Sequence, residues 1–137
     1  MSATIRRVDY YSAMVHDRPG EAYWMLSQLT AARVNLLAFT AIPFGPGQMQ
    51  VLLFPEHVDE MARAIEEHGL TLTGPQHAIL IQGDDRLGAL RELHGTLADA
   101  DINVYQSSGI TDGKGGFAYL IYVAPEDVER ATRALGV

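Results

Sequence analysis

The sequence contains no cysteine, which excludes disulfide bonds, thiolate metal ligands and a cysteine nucleophile. It also has no apolar run near the ~18 residues that a helix needs to cross a bilayer. The segment from Met1 to Arg7 has no apolar stretch after its arginines, so no signal peptide is expected. These absences favour a cytoplasmic protein that does not associate with membranes.

Basic residues are scarce as well, since 10 Lys and Arg stand against 17 Asp and Glu and the net charge is −7. Nucleic-acid binding usually requires a basic stripe that neutralises phosphates, and here the basic residues are scattered, so we expect no nucleic-acid partner. The histidines show no HxxxH or HxH spacing, so no metal site and no cofactor are expected. Ser107 and Ser108 lack a surrounding G-x-S-x-G motif, and no nucleophile–base pair is evident. The sequence therefore predicts a protein that is not an enzyme.

What the sequence does contain is an internal repeat with an offset of 68 residues. The matching residues occur in the same order in both copies: Asp17-Arg18 with Asp85-Arg86, Gly20 with Gly88, Val34-Asn35 with Ile102-Asn103, and Gly45 and Gly47 with Gly113 and Gly115. A slip of two residues then aligns Pro55 with Pro125. An ordered series of this kind indicates two copies of one structural unit. Residues 74–76 form the boundary, which gives one unit over residues 1–74 and a second over residues 75–137.

Hydrophobic periodicity and turn residues predict the same element order in both copies. In the first copy the predicted elements are strand 8–15, a helix with the apolar stripe Ala22, Met25, Leu26 and Leu29, strands 36–42 and 48–54, a helix with the stripe Val58, Met61, Ala62 and Ile65, and strand 70–73. In the second copy they are strand 77–82, helix 87–99, strands 103–110 and 117–123, and helix 125–135. The second copy has no counterpart of strand 70–73, so we expect its first strand to lack its usual neighbour.

This order is the ferredoxin-like βαββαβ unit, an α+β fold in which helices cover one face of an antiparallel sheet. The third strand is apolar on both faces, however, since Met49, Val51 and Leu53 alternate with Leu52 and Phe54. A unit of about 65 residues is also only marginally stable alone. We therefore expect the two copies to pack together and a second chain to cover the remaining apolar surface, as in a homodimer.

The turn from the first strand to the first helix of each copy is where the sequence points to chemistry. A helix start presents unpaired N–H groups and a partial positive charge, which suits an anion, and Gly20 and Gly88 leave that backbone open. Asp17 and Asp85 add a carboxylate, so each turn suits a ligand that carries both a carboxylate and an ammonium group. The alternative is an ordinary helix start, with Asp favourable at its N-terminus and Pro19 in its first turn.

Four segments have the pattern of a known family: DRPG from Asp17 to Gly20, RVNLLAF from Arg33 to Phe39, DRLG from Asp85 to Gly88 and DINVYQS from Asp101 to Ser107. On these segments the chain resembles a tandem ACT-domain protein, and the resemblance covers essentially its whole length. ACT domains are small-molecule-sensing βαββαβ modules attached to many enzymes of amino-acid metabolism. One departure from the family is Leu87, which stands where Pro is usual.

In the ACT family, effector amino acids bind at the interface between units, between the strand-to-helix loop of one unit and the start of the second strand of its partner. The resemblance therefore implies a ligand-binding set in each copy: Asp17, Arg18, Pro19, Gly20, Asn35 and Leu36 in the first, and Asp85, Arg86, Leu87, Gly88, Asn103 and Val104 in the second. The first loop matches the family better, so we expect it to be the occupied one if only one is. The alternative for Asn35 and Asn103 is a purely structural role, in which they cap a helix end or adopt left-handed geometry.

The leading interpretation is a non-catalytic, allosteric regulatory protein that binds an amino acid between ACT units and modulates a partner, such as an enzyme of amino-acid metabolism. The alternative is a ligand-independent scaffold or regulatory subunit that docks on an amino-acid biosynthetic enzyme. Tyr23 and Trp24 lie off the apolar stripe of the first helix and suit either a pocket or a subunit interface. A small enzyme stays open as a third reading, because ferredoxin-like folds also host catalysis.

Overall fold

The computed structural model describes residues 3–137, which form six β-strands and four α-helices. In chain order these are β1 (Ala3–His16), α1 (Glu21–Ala31), β2 (Leu36–Pro43), β3 (Gln48–Pro55), α2 (Val58–His68), β4 (Thr73–Asp84), α3 (Ala89–Asp99), β5 (Val104–Thr111), β6 (Gly116–Val123) and α4 (Val128–Ala134). A 3₁₀ turn, Pro125–Asp127, leads into α4. None of the helices in this part of the chain has both the length and the apolarity needed to cross a bilayer.

The predicted repeat is confirmed by the element bounds. Each of α1, β2 and β3 has the same length as its counterpart among α3, β5 and β6 and begins 68 residues earlier. The strand pairs β2–β3 and β5–β6 are antiparallel, and so are β1–β3 and β4–β6. The chain is therefore an α+β protein built from ferredoxin-like repeats, as the sequence predicts.

The structure divides into two compact units, Asp9–Gln76 and a second that joins residues 3–8 to His77–Val137. We call them the 9–76 unit and the 77–137 unit. The strand order is β2-β3-β1-β4 in the first and β1-β4-β6-β5 in the second. No strand follows α4 in the described chain, yet the expectation that β4 lacks its usual neighbour is wrong. Residues 3–8 of β1 take the place of the missing strand, and Ile5 packs against the core of the 77–137 unit.

Strand β4 differs from the prediction, because the separate strands expected at 70–73 and 77–82 are replaced by one strand from Thr73 to Asp84. The expected boundary, residues 74–76, lies inside this strand. Gly74 permits the close approach to β1 that the strand needs, since a Cβ atom there would lie 2.9 Å from the carbonyl oxygen of Tyr10. Leu70 and Leu72 lie outside the strand and pack against the core of the 9–76 unit.

The core of the 9–76 unit lies between its helices and strands and comprises Tyr11, Leu29, Val34, Leu53, Met61 and Ala64. The stripe predicted for α1 is confirmed, since Leu29 is buried and Met25 and Leu26 pack against the same core. The stripe predicted for α2 is partly wrong. Met61 and Ile65 do face the core, but Ala64 is buried in place of Ala62, which is exposed. The equivalent core of the 77–137 unit comprises Ile79, Ile81, Leu97, Ile102, Tyr119, Ile121, Val123, Val128 and Ala131.

Strands β3 and β6 are buried on both faces within a single chain. Leu52 and Phe54 are buried beside Leu53, and Tyr122 is 1 % exposed. Aromatic contacts contribute on this second face, where the rings of Phe54 and Tyr10 have centroids 5.0 Å apart. The apolar residues on both faces of these strands are therefore buried, and the expected second chain stays a prediction.

Candidate functional site

Both strand-to-helix loops end in a glycine that caps the helix in a left-handed conformation. Gly20 precedes α1 with φ of 90° and Gly88 precedes α3 with φ of 83°. A Cβ atom at either position would meet nothing within 4 Å, so the backbone angle alone favours glycine and the space before each helix is open. Pro19 lies before the cap rather than in the first turn of the helix, because the left-handed Gly20 starts α1 one residue later.

Each loop is hydrogen-bonded to the hairpin turn of its own unit. The Asp17 amide donates to the carbonyl oxygen of Gly47 at 3.0 Å, and the Asp85 amide donates to that of Gly115 at 2.8 Å. The loop before the helix and the turn between the next two strands therefore meet at one end of each unit. The two copies therefore share this hydrogen bond as well as their sequence pattern.

The hairpin turn beside the second loop is held by hydrogen bonds to the side chain of Asp112. Asp112 Oδ1 accepts a hydrogen bond from the amide of Lys114 at 2.6 Å and another from the amide of Gly116 at 3.0 Å. These amides stabilise the ionised carboxylate and hold the pKa of Asp112 below its ordinary value. The Asp112 side chain therefore holds the backbone of the turn between β5 and β6.

A cleft of about 720 Å³ opens at the second loop, within the 77–137 unit. Its walls are residues 85–91, from the loop and the first turn of α3, together with residues 109–111 at the end of β5 and residues 117–118 at the start of β6. The strand register explains the second wall, since Ile110 lies opposite Ala118 and Thr111 lies opposite Phe117. The structure therefore brings the predicted loop residues Asp85–Gly88 together with a strand wall that the sequence did not identify.

The charged residues around the cleft differ in whether they are already paired. Arg86 forms an ion pair and a hydrogen bond with Glu92 of α3. The equivalent arginine of the first loop, Arg18, is likewise paired, with Glu21 at 3.3 Å. Within residues 3–137, Asp85 and Arg91 have no ion-pair partner. Their two opposite charges are therefore available to a ligand.

The apolar residues of the cleft are unusually accessible to solvent. Ile110 is 75 % exposed, Leu90 is 40 % exposed, and Leu87 at the tip of the loop is 100 % exposed. Phe117 of β6 is half-buried and belongs to the same strand wall. It lies opposite Gly83 of β4 on one side and Thr111 of β5 on the other. Leu87 does not close the cleft, because its side chain is fully exposed.

The asparagines of the predicted set lie far from the loops of their own copy. Asp17 and Asn35 flank α1, whose 11 residues span about 16 Å at ~1.5 Å per residue. Asn35 Nδ2 donates to Glu56 Oε2 at 3.0 Å, and the Glu56 amide donates to the Asn35 carbonyl oxygen at 2.8 Å. Asn35 thus links the start of β2 to the residue after β3, and Asn103 occupies the equivalent position in the other copy.

The strand residues of the predicted set also have structural roles. Leu36 packs against the core of the 9–76 unit and Val104 against the core of the 77–137 unit. Neither unit therefore brings its loop together with its own Asn and the residue that follows. The predicted ligand-binding set therefore stays a prediction. A site of that composition takes its loop from one copy of the unit and its Asn from another copy.

The left-handed position suggested for the asparagines is occupied two residues earlier in each copy. Arg33 has φ of 62° and Asp101 has φ of 58°. The amides of Val34 and Ile102 donate back to the carbonyl oxygens of Leu29 and Leu97, both at 2.9 Å. This is the Schellman ending of a helix, with a contact between two buried apolar side chains, and it uses a residue that is not glycine.

The aromatic pair at the start of α1 is exposed, with Tyr23 at 78 % and Trp24 at 60 %. Trp24 lines a smaller cavity of about 230 Å³ in the 9–76 unit, beside Met14 and Leu72. The suggestion that Trp24 lines a pocket is consistent with this position. Among residues 3–137, no three His, Asp or Glu side chains come together as a metal site.

Comparisons with known proteins identify the fold. No family model matches the chain, and no curated protein matches it. Among solved structures, protein BT0572 from Bacteroides thetaiotaomicron is similar with a TM-score of 0.76 at 13 % identity, over 97 % of this chain and 88 % of that one. The ligand-free regulatory subunit of aspartate kinase from Thermus thermophilus has a TM-score of 0.63 at 14 % identity, over 97 % and 93 %. The corresponding subunit from Thermus flavus has a TM-score of 0.60 at 12 % identity, over 98 % and 95 %.

These likenesses span nearly the whole chain in each case, so they concern the complete pair of units rather than one of them. At such low identity they establish shared architecture. The chain is therefore a two-unit α+β protein whose fold is also that of regulatory subunits of an amino-acid kinase.

Proposed function

We propose that this chain is a non-catalytic regulatory protein that binds an α-amino acid and passes the binding event to a partner protein. The observation that carries the proposal is the open cleft between the loop Asp85–Gly88 and the strand wall of the 77–137 unit. The ACT-like sequence segments support the same function, and so does a fold shared with regulatory subunits.

The cleft offers the two charges that an α-amino acid requires. Arg91 and the amides at the start of α3 suit a carboxylate, because the unpaired N–H groups of a helix start carry a partial positive charge. Asp85 suits the ammonium group. A ligand with only one of the two groups leaves a charge without its partner, which costs binding free energy.

A homodimer belongs to the same proposal. Because α1 separates Asp17 from Asn35, a site that uses both residues takes them from two copies of the chain. A cytoplasmic enzyme of amino-acid metabolism is the proposed recipient of the signal, since the chain needs a partner to turn binding into regulation.

A thermal-shift screen of the purified chain against the twenty amino acids tests this function. A ligand that binds only the folded state stabilises it by roughly 2.7 kcal/mol at 100 times its Kd, so the Tm should rise by several degrees for at least one amino acid. Asp85→Asn should abolish the shift, whereas Asp59→Asn, on the exposed start of α2, should leave it unchanged. No shift with any amino acid at millimolar concentration contradicts the proposal.

The second candidate is a scaffold that docks on an enzyme without a ligand. The exposed Tyr23 and Trp24 favour it, because exposed aromatic residues often anchor protein interfaces. Pull-down of a biosynthetic enzyme that is unaffected by amino acids but lost in Trp24→Ala would support the scaffold over the sensor.

A further inference from the structure

The cleft of the 77–137 unit has an apolar wall with few polar side chains on the strand side. Ile110, Phe117 and Ala118 form that wall together with Gly109, and Thr111 supplies its one hydroxyl among the lining residues. Ile110 is 75 % exposed, so apolar surface there is still in contact with water. A ligand that covers it gains about 25 cal/mol for each Å² of apolar area that it removes from water.

The repeat provides an internal comparison, because residues 68 positions apart occupy equivalent places in the two units. Tyr23 stands in the place of Arg91, Gln50 in the place of Ala118 and Pro43 in the place of Thr111. At these equivalent positions the 9–76 unit therefore has neither the unpaired cation of Arg91 nor the small apolar side chain of Ala118. The two units offer different chemistry at the same position.

We propose that the cleft of the 77–137 unit selects α-amino acids with an aliphatic or aromatic side chain. Arg91 holds the carboxylate, Asp85 the ammonium group, and Ile110 and Phe117 contact the ligand side chain. The inference rests on the proposed function and adds the ligand class and the unit that binds it. It also differs from the expectation that the first loop, Asp17 to Gly20, is the occupied one if only one loop is occupied.

Selectivity follows from desolvation. A hydroxyl, carboxylate or ammonium group placed against Ile110 and Phe117 loses hydrogen bonds to water and finds few partners in that wall, so its burial is costly. An apolar side chain of similar size loses none. The difference should separate apolar from polar amino acids by roughly tenfold or more, since an unpaired polar group costs roughly 1–3 kcal/mol.

Calorimetric titration of the full chain tests the ligand class. Leucine and phenylalanine should bind at least tenfold more tightly than serine, aspartate or lysine. Leucinamide, which lacks the carboxylate, and 4-methyl-2-oxopentanoate, which lacks the ammonium group, should each bind about tenfold more weakly than leucine. Equal or tighter binding of a polar amino acid overturns the proposed selectivity.

Paired variants locate the site. Ile110→Ser should weaken leucine binding about tenfold with little effect on weak serine binding, and Ile42→Ser, at the equivalent place in the other unit, should leave leucine binding unchanged. Arg91→Gln should weaken binding about tenfold, whereas Arg63→Gln, an exposed arginine on α2, should have no effect. Circular dichroism verifies that each variant is folded.

The outcomes separate the two proposals. If no amino acid binds to the wild-type chain, the proposed function itself fails. If an amino acid binds but neither Ile110→Ser nor Arg91→Gln changes its affinity, the function stands and the assigned site is wrong.

Discussion

Replacing Arg33 by glycine should stabilise the protein, although it removes a side chain and a charge. Arg33 follows the C-terminus of α1 and has φ of 62°, in the left-handed region. Its amide donates to the carbonyl oxygen of Thr30 at 3.0 Å, as the Schellman ending requires. The backbone bonds of this ending do not involve the side chain, so Arg33→Gly leaves them intact.

Three effects determine the size of the gain. An L residue in the left-handed region costs roughly 1–2 kcal/mol, and glycine removes this cost. Glycine has more freedom in the unfolded chain, which takes back roughly 0.4–1 kcal/mol. Loss of a cation near a helix C-terminus takes back roughly 0.3 kcal/mol. The net expectation is a free energy of unfolding about 0.5 kcal/mol larger than that of the wild type.

The matched control is Ala32→Gly, one residue earlier, where φ is −84°. Glycine relieves no strain there and should destabilise by roughly 0.5–1 kcal/mol. Urea denaturation followed by circular dichroism should therefore place Arg33→Gly above the wild type and Ala32→Gly below it. If Arg33→Gly is as destabilising as Ala32→Gly, the explanation of the helix ending is wrong.

Two further predictions concern the N-terminal strand and the hairpin turn. Ile5→Ala should lower the free energy of unfolding by roughly 1–2 kcal/mol, below the range for a fully buried isoleucine, because Ile5 packs against the core of the 77–137 unit. Hydrogen exchange should then speed up in β6 more than in α2, whereas the exposed Arg6→Ala should change neither; faster exchange confined to α2 contradicts the shared strand. Asp112→Asn should destabilise at pH 7, and the gap from the wild type should shrink as the pH falls below the ordinary value of 3.8, because a carboxylate with a lowered pKa in the folded state loses its contribution as it becomes protonated. Urea midpoints of the two proteins at pH 7 and pH 3 measure this difference in stability. A difference that does not depend on pH would show that the ionised Asp112 carboxylate does not stabilise the turn.

The repeat could be predicted from the sequence because each copy encodes its own local signals. The stripe of Met25, Leu26 and Leu29 predicts α1, and Gly69, with φ of 65°, is a local signal for the end of α2. The offset of 68 residues then transfers each assignment to the other copy. Periodicity identifies elements well when one face of each is buried within its own unit.

The sharing of β1 between the two units could not be predicted in the same way. The sequence predicted a first strand over residues 8–15 only, whereas β1 begins at Ala3, and nothing local marks residues 3–8, with Arg6 and Arg7, as part of the other unit. The strand completes the 77–137 unit only through tertiary pairing with β4. The same limit applies to α2, where packing buries Ala64 instead of Ala62 although both are alanines.

Only the loop of the candidate site could be predicted from the sequence. The loop from Asp85 to Gly88 was proposed from its glycine and its carboxylate. Ile110 and Phe117 lie in predicted strands, and nothing in the sequence indicated that they line a cleft. The available signal was a difference between the copies: Arg91 replaces Tyr23 beside otherwise similar loops. Similarity between repeats indicates the shared fold, whereas this difference is the basis on which we propose that the 77–137 unit binds the ligand.

The most direct test of the central claim is a calorimetric titration of leucine into three proteins: the wild type, Arg91→Gln and Asp17→Asn. If the cleft of the 77–137 unit is the amino-acid site, the wild type and Asp17→Asn should bind leucine with the same affinity and Arg91→Gln about tenfold more weakly. Loss of binding in Asp17→Asn with unchanged affinity in Arg91→Gln would contradict the assignment and place the ligand at the first loop.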